Sequence, residues 1–364
     1  MLSAIRVLVV DDSALIRQML TRALSMDPRI MVVGVAKTGV EAIEQATALN
    51  PDVITLDIEM PEMTGLEALP QIRRHSKARV IMLSSLDDPD TTYQALALGA
   101  VDFIPKPTAG MATSISDLTD VLLKKIRIAN RVSPDAIHYV PTPISRTATV
   151  GGEPVPASTR RGGHQPIVCV AIASSTGGPP ALERVFDGLA ASLSAAYVVV
   201  QHLPAGFSQS LARRLDAISS ITVREVEDGM PIEAGHAYLA RHGAHVEVCV
   251  ADGVARLSLN TEPPVHGVRP AADVLFTSVA RAFGDAAVGV VLTGMGSDGA
   301  KGAAAIKLAG GDTIIQDEAT SVVWGMPGSA VKLDAGKRVV PLGLVAAEIR
   351  RSIRLRSEGE SWAT

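Results

Sequence analysis

Acidic, basic and hydroxyl side chains stand where apolar runs end in the first third of the chain. Asp11 and Asp12 follow the run 5–10, Asp57 follows 53–56, Ser84 follows 80–83, and Lys106 comes just after 100–104. In an open parallel sheet the C-terminal strand ends converge on one crevice. Three carboxylates gathered there would repel one another and disfavour ionisation. A hard divalent cation relieves that repulsion, and carboxylates completed by water suit Mg²⁺. A carboxylate nucleophile beside a cation, a lysine and a hydroxyl is equipped to accept a phosphoryl group. Asp12 or Ser13 alone reads more simply as a helix cap. The full set, drawn from four strand ends, points to phosphoryl transfer onto Asp57.

A second set lies further along. The run 167–172 leads into Ala173-Ser174-Ser175-Thr176-Gly177-Gly178, the run 197–200 ends at Gln201-His202, and the run 287–292 ends at Thr293-Gly294-Met295-Gly296-Ser297-Asp298-Gly299. A serine at a strand-to-helix turn exposes its hydroxyl beside helix-terminal N–H groups that can stabilise an oxyanion. A histidine at a neighbouring strand end can take its proton, and an aspartate can orient the imidazole. Each piece alone reads as a capped turn or a structural histidine. The order Ser175, His202, Asp298 also matches none of the three familiar triad orders, and no G-x-S-x-G is present. A competing reading exists for the last turn: residues 294–299 fit G-x-G-x-x-G, with Asp317 placed as the acidic residue of a dinucleotide fingerprint.

Other residues carry less. His236, His242 and His245 have no accompanying ligands at metal-site spacing and read as solvated loop residues. Arg213-Arg214 and Arg350-Arg351 read as solvated helix faces. The segment 266–270 is a Pro- and Gly-containing loop placed to border the second site. Cys169 and Cys249 sit in apolar runs and read as buried, reduced thiols.

These side chains need two scaffolds. At 364 residues the chain exceeds one ordinary domain, and two are expected. Apolar runs alternate with amphipathic segments such as 13–24, 90–98 and 117–129, which implies α/β folding with parallel sheets. From 131 to 165 the chain is rich in Pro, Gly, Ser, Thr and Arg without hydrophobic period, which reads as a linker. The expected layout is therefore a first domain over 1–130, a second over 166–356 and a frayed tail over 357–364. Hydrophobic residues make up 47% and aromatic ones only 3%, so aliphatic side chains must fill both cores. A net charge of -4 offers no footprint for nucleic acid. Without a secretory leader or an apolar run of ~18 residues, a cytoplasmic protein with no membrane insertion is expected.

The first of these patterns resembles a response-regulator receiver domain. The resemblance rests on Asp11-Asp12, on Asp57 within Leu56-Asp57-Ile58-Glu59-Met60-Pro61, on Ser84, on Phe103 and on Pro105-Lys106-Pro107. It implies a flavodoxin-like fold with Asp57 as the phosphorylated residue. Asp12 would be a direct Mg²⁺ ligand, Asp11 would act mainly through water, and the Glu59 backbone carbonyl would be a further ligand. Ser84 and Lys106 would contact the phosphoryl oxygens, Phe103 would be a rotameric switch, and the Lys106–Pro107 peptide would be cis.

The chain as a whole resembles the chemotaxis response regulators that are protein-glutamate methylesterases. This rests on Ser174 to Gly178, on Gln201-His202-Leu203-Pro204-Ala205-Gly206-Phe207, on Leu292 to Gly299 and on Trp324-Gly325-Met326-Pro327-Gly328. The resemblance implies a Rossmann-like α/β catalytic domain with Ser175 as nucleophile, His202 as general base and Asp298 as its orienting acid. Thr176 and the Met295 N–H would neighbour the oxyanion. It further implies removal of methyl groups from glutamate methyl esters on chemoreceptor cytoplasmic helices, with methanol released, and deamidation of specific receptor glutamines. A chemotaxis histidine kinase would be the phosphodonor, the catalytic domain would need no cofactor, and the protein would be a monomer. The unphosphorylated receiver would cover part of the catalytic face. Ala173 and Val268 depart from the residues many members carry, at positions outside the triad.

Overall fold

The computed structural model describes residues 4–85, 88–106, 115–133 and 167–357. Most of the expected linker, the C-terminal tail and the Lys106–Pro107 peptide lie outside the described residues.

The first unit is a five-stranded parallel sheet in the order β2-β1-β3-β4-β5. Its strands are β1 (Ile5–Val10), β2 (Ile30–Ala36), β3 (Val53–Asp57), β4 (Arg79–Ser84) and β5 (Asp102–Pro105). Helices α1 (Ala14–Leu24), α2 (Gly39–Leu49), α3 (Gly65–His75), α4 (Pro89–Ala97) and α5 (Ile115–Ala129) connect and flank them. β3 is buried at every position, as a central parallel strand must be. Local chemistry sets the helix starts. Ser13 caps α1, and at α3 Thr64 and Glu67 form a reciprocal capping box. Strand order reverses at β1, which opens a crevice between the ends of β1 and β3.

The second unit is a seven-stranded parallel sheet in the order β14-β13-β12-β6-β7-β9-β8. Its strands are β6 (Val168–Ser174), β7 (Ala195–Gln201), β8 (Thr222–Glu225), β9 (His236–Leu239), β12 (Ala287–Val291), β13 (Asp312–Gln316) and β14 (Arg338–Val340). The helices are α6 (Gly178–Asp187), α7 (Ser208–Ile218), α8 (Ala272–Phe283), α9 (Ala300–Leu308), α10 (Met326–Lys332) and α11 (Leu342–Ser357). β6, β7 and β12 are buried throughout, so the central strand ends aim at one enclosed region.

One element goes beyond the doubly wound plan. β10 (His245–Ala251) and β11 (Val254–Asn260) pair as an antiparallel hairpin. Its two-residue turn, Asp252-Gly253, has positive φ at both positions (52° and 75°), the pattern of a twist-matched hairpin turn. Three expectations need correction. Cys249 is exposed, because it lies towards the outer end of this hairpin. His245 is buried, with Nε2 on the Pro263 carbonyl and Nδ1 accepting the Ala271 N–H. Arg214 and Arg350 are not simply solvated: Arg214 pairs with Glu183, and Arg350 donates to the Gly188 carbonyl.

The two units touch through α4, β5 and α5 of the first. Tyr93 on α4 donates its hydroxyl to the Phe207 carbonyl at 2.8 Å, and the Phe207 ring sits 6.2 Å from Tyr93 and 4.6 Å from Phe103. Phe207 is fully buried. Withdrawing a ring of this size from water contributes about 1.5–3 kcal/mol. On the other flank, Val322 and Val323 pack against the apolar cluster that includes Leu122, Leu123 and Ile126 of α5.

Candidate active site and its covering face

At the first crevice, β1 supplies Asp11 and Asp12, and β3 ends on Asp57. Ligand atoms of all three carboxylates lie within 4.8 Å of one another. Lys106 Nζ stands 2.6 Å from Asp57 Oδ2 and 3.0 Å from Asp11 Oδ2. Those are ion-pair distances, and both carboxylates are buried. Three carboxylates, two of them buried, with a single ammonium between them leave excess negative charge that fits a hard divalent cation. Burial, with Asp11 adding like charge, pushes the Asp57 carboxyl up to about 6 against the pull of Lys106. Burial would lower the Lys106 ammonium, but Asp57 and Asp11 outweigh it and hold it above its usual range.

The Glu59 N–H donates to Asp57 Oδ1 at 3.2 Å, which sets the backbone beside the cluster. Ser84 faces elsewhere, its hydroxyl donating to the Ser85 carbonyl at 2.8 Å. Phe103 is not at the crevice. It lies in the contact between the units, with the Lys125 ammonium 5.5 Å from its ring centre.

At the second site, β6 ends in a turn that passes through Ser175 and into α6. Gly177 takes φ +76°, and a Cβ on Gly178 would lie 1.9 Å from Gln201 Oε1, so both glycines are required by the turn. Gln201 locks it: Ser174 Oγ donates to Gln201 Oε1 at 2.6 Å, and Gln201 Nε2 donates to the Ser175 carbonyl at 2.9 Å. Gly294 lets the neighbouring turn approach, since a Cβ there would lie 2.9 Å from Ser175 Cβ. Met295, the next residue, is partly exposed, and its N–H has no backbone acceptor among the described residues.

His202 and Ser175 line one small cavity. The imidazole is held from behind, with Nε2 2.8 Å from Asp298 Oδ2. A carboxylate only accepts, so the network assigns the proton to Nε2 and leaves Nδ1 as the basic nitrogen. Asp298 is 2% exposed and also accepts N–H bonds from Ala272 (2.7 Å), Asp273 (2.9 Å) and Gly299 (3.0 Å). Burial works to raise this carboxyl, yet His202 and the backbone donors together hold it below the usual carboxylate range. The dinucleotide reading of 294–299 finds no support here. Asp298 faces inward to His202, and Asp317 is spent on a turn, accepting from the Thr320 N–H at 3.0 Å.

Thr176 is engaged by the other unit. Its Oγ1 donates to Asp102 Oδ2 at 2.8 Å, and Lys125 Nζ holds Asp102 Oδ1 at 2.6 Å. Asp102, Phe103, Lys125 and Leu96 therefore share with Ser175 and His202 a cavity of only about 30 Å³. That admits water but not a peptide side chain with its backbone. Neither Asp102 nor Lys125 carried a local signal in the sequence, because their importance comes from contact with a residue far along the chain.

Comparison with known proteins matches these two sites to two family models. Residues 7–113 match the response regulator receiver domain, and residues 170–349 match the CheB methylesterase. A protein-glutamate methylesterase/protein-glutamine glutaminase of Pyrococcus horikoshii is 42% identical over 355 residues, covering 96% of this chain and 94% of that one. The chain belongs to the protein-glutamate methylesterase/protein-glutamine glutaminase family. A member from Xanthomonas campestris pv. campestris is 46% identical over 348 residues, 95% of this chain and 96% of its own. The crystal structure of the Thermotoga maritima CheB methylesterase catalytic domain superposes with a TM-score of 0.50 at 37% identity, covering 51% of this chain and 98% of that one. The chain is thus an enzyme of this family with an attached receiver. Among the described residues no helix is long and apolar enough to cross a membrane.

Proposed function

We propose that the chain hydrolyses glutamate methyl esters on chemoreceptors through Ser175, His202 and Asp298, under the control of phosphorylation at Asp57. The observation that carries the hydrolytic half is the buried Asp298 carboxylate, fixed by backbone donors and bonded to the one imidazole that shares a cavity with Ser175.

In this mechanism His202 Nδ1 takes the Ser175 proton as Oγ attacks the ester carbonyl. The resulting imidazolium is stabilised through Nε2 by Asp298. The Met295 N–H and the Thr176 hydroxyl face the developing oxyanion. Collapse of the tetrahedral intermediate breaks the C–OMe bond, and the imidazolium proton leaves with methoxide as methanol. Water then attacks the acyl-serine by the same route, giving free glutamate and restoring Ser175. A glutamine side chain would follow the same steps with ammonia as the leaving group.

In the regulatory half, Asp11, Asp12 and Asp57 with the Glu59 carbonyl would hold Mg²⁺, which would supply charge neutralisation for phosphoryl transfer from a histidine kinase. Lys106 and Ser84 then contact the phosphoryl group. The contact of Thr176 with Asp102 and the small size of the cavity support a closed, inhibited state before phosphorylation. Phe103, seated against Phe207, is placed to relay the change. The receiver is assigned to 1–130, the linker to 131–165 and the catalytic unit to 166–356. The test is methanol release from methylated chemoreceptor membranes before and after a small phosphodonor. Activation is expected in the wild type and lost in Asp57→Asn, and equal activation of both would overturn the regulatory reading.

A further inference from the structure

Beside the triad stands a second histidine–aspartate pair that the mechanism above leaves unused. His266 Nε2 lies 2.7 Å from Asp273 Oδ2, and Asp273 Oδ1 accepts the Gly302 N–H at 2.7 Å. Ligand atoms of His266, Asp273 and Asp298 all fall within 4.8 Å of one another. The group has the composition of a metal site, but both oxygens of Asp273 and both of Asp298 already accept bonds from protein donors. It is a hydrogen-bond chain, not a cation cage.

The chain runs through the first turn of α8. That helix has no side-chain cap at Ala271, so its leading N–H groups need another acceptor. Asp298 provides it, taking the N–H groups of Ala272 and Asp273. The position of the Asp298 carboxylate, and with it the aim of His202, therefore follows the position of that first turn. The Asp273 side chain anchors the turn, to α9 through Gly302 on one side and to His266 on the other. His266 occupies a tight turn closed by paired bonds between Val265 and Val268 (3.0 and 3.1 Å), in which His266 has φ +55° and Gly267 +74°. A left-handed conformation is uncommon for a residue with a side chain. Here it delivers the imidazole onto a carboxylate that is otherwise buried, while the ring itself keeps 27% of its side-chain surface exposed.

We propose that His266 is a positioning residue for the esterase reaction. Acting through Asp273, it holds the first turn of α8 in the place from which that turn orients Asp298. The assignment rests on the reading of Ser175, His202 and Asp298 as the catalytic set. A residue acting this way affects the chemical step and leaves the binding of the receptor helix alone, since misplacing catalytic groups slightly costs rate steeply.

The experiment compares full-length wild type, His266→Ala, His266→Gln and His266→Asn by methanol release from methylated receptor membranes. It also follows the downfield proton resonance of the His202 Nε2–H, assigned through its loss in His202→Gln. For His266→Ala, kcat is expected to fall by about tenfold with KM unchanged and the resonance to broaden. His266→Gln or His266→Asn, which keeps an N–H donor for Asp273, is expected to restore both to within about threefold. The proposal is overturned by a His266→Ala variant with wild-type kcat and an unaltered resonance. It is equally overturned if alanine and both amide variants lose rate together. Absence of the resonance in the wild type would instead count against the His202–Asp298 reading itself.

Discussion

Thr176 Oγ1 donates a 2.8 Å hydrogen bond to Asp102 Oδ2, joining the turn that carries Ser175 to the edge strand of the receiver. A hydroxyl that donates to a carboxylate cannot at the same time donate to an oxyanion. In the proposed mechanism, cover by the receiver therefore acts on chemistry as well as on access. Asp102→Asn keeps the shape and removes the charge. We expect its unphosphorylated methanol-release rate to rise by about tenfold, with a smaller further gain from phosphodonor, as befits loss of a charge-assisted bond. An unchanged basal rate would show that Thr176 is not restrained by this contact.

Tyr93→Phe should loosen the same contact from the α4 side. Its hydroxyl is a second donor, at 2.8 Å, to the Phe207 carbonyl that also accepts the Leu211 N–H, and losing such a bond weakens the closed state by about 1 kcal/mol. A several-fold higher basal rate is expected, read in the same assay, with phosphorylated activity unchanged.

Asp57 should couple Mg²⁺ binding to pH. Its carboxyl holds a proton up to about pH 6, and the cation needs the ionised form. Affinity is therefore full above that value and falls as pH drops through it, by about tenfold per unit once the proton dominates. Calorimetric titration of Mg²⁺ between pH 5 and 7.5 should show this weakening with proton release, and the release should vanish in Asp57→Asn.

Asp298→Asn should damage stability and rate together. The carboxylate accepts three backbone N–H bonds and one from His202, and an amide presents a donor where two of these need an acceptor. A loss of about 2–4 kcal/mol is expected from urea unfolding. The folded-state carboxyl is held below its ordinary value, so its contribution is present at neutral pH and fades as pH falls through that lowered value. The fall in kcat should reach about 10⁴-fold, the usual penalty when the orienting acid of a triad is lost.

Much of the fold was legible because the central strands of both sheets are buried on two faces and read as continuous apolar runs ending in chemistry-bearing residues, whereas the half-exposed edge strands β8 and β14 carry no such run. Asp11, Asp12 and Asp57 converge as strand-end logic requires, and Ser175, His202 and Asp298 gather at the ends of β6, β7 and β12 for the same reason. What escaped is of two kinds. The β10–β11 hairpin carries only an Asp252-Gly253 turn and a half-exposed alternation, a weak signal beside the parallel strands. Asp102, Lys125 and Asp273 matter through contacts made only after folding, so no local pattern marks them. The Pro- and Gly-containing loop of His266 marks it as a neighbour of the site, but its partner Asp273 lies inside an ordinary helical stretch.

Methanol release from methylated chemoreceptor membranes with Ser175→Ala decides whether Ser175 is the nucleophile of a receptor methylesterase. A rate lower than wild type by at least about a thousandfold is expected, with the fold intact by circular dichroism. A Ser175→Ala variant that releases methanol at the wild-type rate would contradict that role.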